Sequence, residues 1–174
     1  GTANVAVGYQ SLDANTTADN NTGIGYDALS ANTTGASNVA VGKNALLSNT
    51  TGASNVALGA NALDANTTAD NNTAVGTSAL SANTTGTQNV AVGSLAGDAI
   101  TTGDGNTAIG YFSLSTTTTA DNNTAVGVDS LGLNSTGADN TGIGRDALRS
   151  NTTASNNTAV GSNALYANTT GASN

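Results

Sequence analysis

Hydrophobic and polar positions recur every 17 residues along this chain. A β-branched residue or leucine occupies the position of Val7 in all ten repeats, and leucine occupies the position of Leu12 in nine. Glycine recurs at the position of Gly8 and asparagine at that of Asn4, with no insertion or deletion. Disordered tracts tolerate length changes, so the fixed spacing predicts that each repeat forms one coil of a stacked array.

Each repeat predicts two short strands and two turns. Residues 4–8 and 12–17 favour strands, and the regions of Gly8 and Gly35 favour turns. The Thr, Val, Asn and Gly content disfavours helix, and helical repeats are about twice as long. We therefore expect an all-β fold: a parallel β-solenoid (β-roll or β-helix) with one 17-residue coil per repeat, about ten coils and two flattened sheets about 10 Å apart.

Stacked repeats place like residues above one another in ladders. We expect Val7, Val41, Leu12 and Leu46 to pack in the interior, and the asparagine amides to satisfy carbonyls at the corners. The threonine row is either an inward hydroxyl ladder or an outward flat row. In the irregular sixth repeat, we expect Leu95 to refill the space at Gly97. The predicted structural ladders include Asn4, Asn21, Asn38, Gly8, Gly25, Gly42, Val7, Val41, Leu12, Leu46, Thr17 and Thr34.

The column of Ala6 holds only alanine or glycine, although the neighbouring column of Tyr9 varies freely. Successive strand residues point to opposite faces, so Ala6 points away from the coil interior if Val7 points into it. A restricted outward column predicts cover by another chain; the alternative is that only a small residue fits a tight bend. The predicted interchain face comprises Ala6, Ala40, Ala57 and Ala74.

The composition narrows the functional classes. The chain has 11 acidic residues, all Asp, 3 basic residues, a net charge of −8, and neither histidine nor cysteine. We therefore expect no enzyme activity, no cofactor and no metal site, because the usual general bases, thiol nucleophiles and zinc ligands are missing. Three cations cannot neutralise a nucleic acid, and no apolar run is long enough to insert into a membrane.

The ends of the chain are in phase with the repeat. Residues 1–4 match residues 171–174, and neither end carries a distinct capping sequence. Solenoids need caps to cover their open ladder edges. We therefore expect residues 1–174 to be a single uncapped repeat array, either a segment of a longer fibrous protein or a unit that stacks end to end in a filament.

The strand motifs carry a family resemblance across the whole chain. Asn38-Val39-Ala40-Val41-Gly42 and its equivalents at 72–76 and 106–110 resemble the head repeats of trimeric autotransporter adhesins. Similar repeats occur in phage tail-fibre and bacterial surface proteins. The resemblance implies a left-handed parallel β-roll, a homotrimer, and an extracellular, cell-surface or virion fibre. The expected function is therefore the structural shaft of such a fibre, filament or adhesin.

Two other functions remain open. Regular threonine rows on flat β-solenoids bind ice in several antifreeze proteins, which this composition resembles; a structural threonine ladder is the alternative. A strip containing Tyr9, Tyr26, Tyr111 and Phe112 could bind a surface glycan, because aromatic faces stack on sugars.

Two further groups of polar residues match common site patterns only superficially. Solvated turn acids are expected at Asp19, Asp70, Asp104 and Asp121 instead of a calcium site, because calcium needs six to eight oxygens. The N-glycosylation pattern occurs at Asn15, Asn32, Asn49, Asn66, Asn83, Asn134, Asn151 and Asn168. Unmodified asparagine is expected at these positions, since an Asn- and Thr-rich chain generates such triplets by chance.

Overall fold

A computed structural model describes residues 1–174 and shows one ten-stranded parallel sheet. Each strand has three residues, pairs with the next strand along the chain and lies 17 residues from its partner in register. The predicted all-β parallel solenoid is therefore confirmed. The strands are β1 Val5–Val7, β2 Thr22–Ile24, β3 Val39–Val41, β4 Val56–Leu58, β5 Thr73–Val75, β6 Val90–Val92, β7 Thr107–Ile109, β8 Thr124–Val126, β9 Thr141–Ile143 and β10 Thr158–Val160.

Hydrogen bonding between coils continues around the whole circumference. Of 109 backbone hydrogen bonds, only 18 join two strand residues; the other 91 involve at least one residue outside the strands, and most of these join equivalent regions of successive coils. The ten coils stack at a strand spacing of about 4.8 Å, which gives a rod roughly 45 Å long. The rod is therefore held by backbone ladders at the corners as well as by its sheet.

The prediction of a second strand at residues 12–17 is wrong. This segment forms turns and bends in every coil, so the rod has one sheet instead of two. Leu12 and its equivalents adopt a left-handed conformation, with φ of 51° at Leu46. That conformation curls the backbone and interrupts the extended geometry that a strand requires, while the leucine side chain still enters the core.

Side chains of the strands face the opposite way from the prediction. Ala40, Ala57 and Ala74 are 0% exposed within a single chain, whereas Val7 is 56% exposed and Val41 is partly exposed. The predicted interchain face is therefore wrong at Ala40, Ala57 and Ala74, which lie in the coil interior, whereas Ala6 in the first coil is exposed. The predicted inward direction of Val7 and Val41 is wrong as well. The interior of the coil consists of the alanine column packed against Leu46 and its equivalents.

The width of the interior explains why the alanine column never holds a larger residue. A Cβ on Gly23 would lie 2.6 Å from Ser11 Oγ and 3.3 Å from Leu12 Cγ. Ser11 Oγ instead donates a hydrogen bond to Gly23 O at 2.8 Å, and Ser130 and Gly142 repeat this arrangement. The turn residues fill the coil so closely that only alanine or glycine fits opposite them.

The sixth coil refills its core differently from the prediction. Ile100 is 0% exposed, and its Cδ1 lies 3.0 Å from the Cβ position that Gly97 lacks. Leu95, by contrast, lies on the turn and is only partly buried. The expectation that Leu95 replaces the missing leucine is therefore wrong. Ile100 occupies the asparagine column, which points inward, so its side chain reaches the vacant volume.

Candidate interaction surfaces

The outer surface of the sheet is an uncharged strip that runs the length of the rod. It consists of two rows, the Val5 column and the Val7 column, separated by the buried alanine column. The Val5 column contains only valine or threonine, and the Val7 column contains only valine, isoleucine or leucine. Val92 and Ile109 in the middle of the rod are each 38% exposed, and Ile24 in the second coil is 37% exposed. We call this strip the sheet face.

The threonine column lies on the outside of the rod. All ten members, from Thr17 and Thr34 to Thr170, are exposed, and none of their hydroxyls has a hydrogen-bond partner within the chain. The preceding column behaves differently, because Thr50 Oγ1 donates to Thr67 O at 3.0 Å and most of its equivalents do the same. Of the two alternatives, the structure therefore shows the outward row.

Two asparagine columns form hydrogen-bonded ladders in the interior. In the first column, Asn38 N–H donates to Asn21 Oδ1 at 2.9 Å, and Asn38 Nδ2 donates to Gly52 O at 2.8 Å. In the second, Asn49 Nδ2 donates to Asn32 Oδ1 at 2.8 Å and to Gly52 O at 2.9 Å. These amides satisfy corner carbonyls and backbone N–H groups that would otherwise be buried without partners.

The second ladder bears on the glycosylation pattern. Asn32, Asn49 and Asn66 are 0% exposed, and their Nδ2 atoms already donate to neighbouring coils. A glycan on these side chains is incompatible with the folded rod. A different set carries the same pattern on exposed corners, where each asparagine lies two residues before a threonine: Asn20, Asn71, Asn122 and Asn156. The overlapping Asn-Asn-Thr triplets were the sequence signal for this set.

The turn aspartates act as caps between coils. Asp70 Oδ1 accepts from Ala53 N at 2.6 Å, and Asp104 Oδ1 accepts from Thr87 N at 2.6 Å. Asp19 accepts from Thr2 in the same way, and these hydrogen bonds lower the pKa of Asp19. The carboxylates therefore replace a missing backbone acceptor at this corner, and the structure contains no cluster of metal-ligating side chains.

The Asp98 carboxylate lowers the stability of the folded chain at neutral pH. Burial raises the pKa of its carboxyl above 3.8, and its Oδ1 has no hydrogen-bond partner. A raised pKa in the folded state means that stability falls as pH rises from 3.8 through the folded value. Asp98→Ser, which copies Ser81 and Ser115 of the same column, should raise the melting temperature at pH 7 by about 2–4 °C, as expected for ~1 kcal/mol. Thermal melts followed by circular dichroism measure the shift.

This gain should disappear below pH 3.8, where the carboxyl is protonated in both states. Asp13→Ser provides the control, because Asp13 lies exposed in the same column. An equal gain in both variants, or a gain that persists in acid, would contradict the role assigned to Asp98 burial.

The aromatic residues form two separate pairs. Tyr9 and Tyr26 stack in parallel with ring centroids 5.1 Å apart, so each covers one face of the other. Tyr111 and Phe112 meet edge to face at 4.4 Å. The structure does not bring the four into one strip, because the first pair lies in the first two coils and the second pair in the seventh. Sequence reasoning missed Arg145, which lies two coils beyond Tyr111 in the same column, and Arg149 as residues of interest.

No protein-family model matches the chain, and no match is found among curated proteins or solved structures. The chain contains no helix long and apolar enough to cross a lipid bilayer. A functional conclusion must therefore rest on the surfaces described above.

Proposed function

We propose that the chain is the non-enzymatic structural shaft of an extracellular fibre, filament or adhesin, and that copies of it associate through the sheet face. The observation that carries the proposal is the continuous uncharged sheet face on a chain of net charge −8. Large contiguous apolar patches are rare on monomeric soluble proteins and mark interaction sites. The Val7 column is apolar in all ten coils, whereas six of the ten residues in the Val5 column are threonine. The asparagine and backbone ladders supply the stiffness that a shaft needs.

A second copy of the chain matches the sheet face better than an irregular partner does. In each copy, successive side chains of the Val5 and Val7 columns lie about 4.8 Å apart along the rod. Side chains of one copy can therefore pack between those of the other over all ten coils. The absence of charge from both rows removes like-charge repulsion where the copies meet. A trimer is the stoichiometry implied by the adhesin-head resemblance.

Light scattering at micromolar concentration tests the association. We expect the mass of a trimer for the wild type and of a monomer for the double variant Val92→Lys/Ile109→Lys, which charges the centre of the sheet face. Thr85→Lys/Thr102→Lys is the matched control, because it adds the same charge to an exposed row elsewhere and should remain trimeric. A monomeric wild type would contradict association through the sheet face.

The extracellular location is tested separately. Antibodies against the rod, used in immuno-electron microscopy of the intact producing cells or particles, should label projecting fibres. Labelling confined to the cell interior would refute this part of the proposal without affecting the association.

Ice binding is a second candidate because of one specific observation. All ten residues of the Thr17 column present a methyl group and an unused hydroxyl to solvent at a regular spacing. Such a row can order water in a periodic pattern. Thermal hysteresis and ice shaping by the purified protein would support this candidate, provided that Thr85→Lys/Thr102→Lys weakens both. The lack of both effects in the wild type would eliminate it.

A further inference from the structure

One corner of the last four coils differs from the otherwise uniform surface of the rod. We call it the arginine–aromatic corner and define it by Tyr111, Asp129, Arg145, Asp146, Arg149 and Tyr166. It holds both arginines of the chain and two of its four tyrosines. The column of Tyr111 and Arg145 contains Ala60, Thr77 and Ser94 in the central coils, so the solenoid does not require large side chains at these positions.

Arg149 connects the members of this corner across successive coils. Its Nε lies 3.7 Å from Asp129 Oδ2 and 3.6 Å from Asp146 Oδ1. Its NH1 nitrogen donates to Tyr166 Oη at 3.2 Å, and the guanidinium carbon lies 5.9 Å from the centre of that ring. Tyr111 lies in the column of Arg145, two coils away with Val128 between them, and its carbonyl accepts from Asp129 N at 3.0 Å in the backbone ladder that every coil makes. The polar groups are thus held in a fixed order along the rod.

The corner is electrically balanced and retains hydrogen-bonding capacity. Arg145 pairs with Asp146 at 3.0 Å, so two guanidinium groups face two carboxylates. The Arg145 side chain is 66% exposed, and its terminal nitrogens have no partner within the chain. The balance of charge, together with a net charge of −8 on the molecule, disfavours an anionic ligand. Planar groups with free donors and acceptors instead suit an uncharged ligand rich in hydroxyls.

The aromatic rings add apolar surface at both ends of the corner. Tyr111 is 50% exposed and Tyr166 is 40% exposed. Phe112 stands perpendicular to Tyr111, bracing that ring without stacking on it. Tyr9 and Tyr26 leave less free ring surface for a ligand, because each covers a face of the other. Neither has a charged neighbour in an ion pair.

We propose that the arginine–aromatic corner binds an uncharged oligosaccharide that lies along the rod axis. The ring of Tyr111 and the face of Tyr166 that Arg149 does not cover pack against C–H faces of the sugars, while the free terminal nitrogens of Arg145 donate hydrogen bonds to hydroxyls between them. The corner spans three coil steps of about 4.8 Å each. One pyranose ring along a linear glycan is similar in length to one coil step, so successive sugars meet successive coils. This activity goes beyond that of a structural shaft.

Affinity electrophoresis tests the proposal with defined probes. Native gels containing dextran, mannan, galactan, xylan or hydroxyethyl cellulose are compared with a gel without polysaccharide and one with dextran sulfate. We expect at least one uncharged polysaccharide to retard the wild type. Tyr111→Thr/Arg145→Ser copies residues of the same column (Thr77, Ser94 and Ser162), and should weaken binding at least about tenfold. Tyr9→Thr/Tyr26→Thr is the control and should bind like the wild type.

Each outcome decides the proposal. Retardation by none of the uncharged polysaccharides, or by dextran sulfate alone, overturns it. Unchanged binding by Tyr111→Thr/Arg145→Ser, with circular dichroism matching the wild type, also overturns it. If that variant fails to fold, Tyr166→Ser replaces it, since Ser30 and Ser81 occupy the same column. Light scattering on the same samples reports association through the sheet face independently, so loss of glycan binding and loss of the fibre are distinguishable.

Discussion

Gly59→Ala is expected to destabilise the rod by at least about 4 kcal/mol, a loss reserved for severe structural defects. Gly59 has φ of +136°, a conformation that side-chain-bearing residues rarely adopt. A Cβ there would also lie 2.5 Å from Gly76 O and 2.6 Å from Gly76 C in the next coil. These are backbone atoms, so relieving the overlap requires the two coils to separate. In a thermal melt, the midpoint should fall by about 8–16 °C.

Gly161→Ala separates the two causes of this loss. Gly161 has a similar φ of +128°, but the nearest atom to its Cβ position is Ala164 Cβ at 3.9 Å. This variant therefore carries the conformational strain without the overlap, and should lose only about 1–3 kcal/mol. Equal losses in the two variants would show that the close approach of consecutive glycines contributes nothing.

The glycine column illustrates what the sequence could predict. Its strict 17-residue spacing specifies the coil length, and the same spacing appears as the register of every strand pair, including Val5 with Thr22. A stacked array with one coil per repeat follows from periodicity alone, because an insertion would shift every later residue out of its ladder. The fold class was therefore accessible without any structural information.

The sequence could not predict which side chains of each strand point into the coil, and the reason is physical. The Ala6 and Val7 columns are both restricted, and alternation along a strand shows only that they face opposite sides. The prediction placed the larger residue inside. In the structure, Leu46 and its equivalents already fill the interior, which leaves room for Ala40 but not for a valine. The sheet face, now the main candidate interaction surface, was consequently assigned to the core.

The turn at residues 12–17 was predicted as a strand for a related reason. Leucine at φ near +51°, as at Leu46, is unfavourable for an L-amino acid and has no sequence signal. Favourable stacking around the coil must over-determine this conformation. Likewise, the outward direction of Thr17 depends on the bend at residues 16 and 17, which strand alternation did not anticipate. Local conformations imposed by neighbouring coils are the part of this fold that single-repeat reasoning could not supply.

The asparagine ladder leads to a second large expected effect. Asn72 is 0% exposed; its Nδ2 donates to Gly86 O at 2.8 Å, and its Oδ1 accepts from Asn89 N at 2.9 Å. Asn72→Ala leaves the Asn89 N–H buried without a partner and removes one of the two donors to Gly86 O, which still accepts from Asn83 Nδ2 at 2.9 Å. The unsatisfied N–H costs about 1–3 kcal/mol and the lost hydrogen bond to Gly86 O about 1 kcal/mol, so we expect a total loss of about 2–4 kcal/mol in chemical denaturation followed by circular dichroism.

Two further variants make this prediction specific to the buried amide. Asn71→Ser changes the adjacent exposed residue to the one found at Ser37 and Ser54, and should leave stability within about 0.5 kcal/mol of the wild type. Asn72→Asp keeps an acceptor but buries a carboxyl, whose folded pKa should be raised by desolvation. Its stability should therefore fall as pH rises from about 4 towards 7. A pH-independent Asn72→Asp, or an Asn71→Ser as unstable as Asn72→Ala, would show that the ladder amides are not what joins the coils.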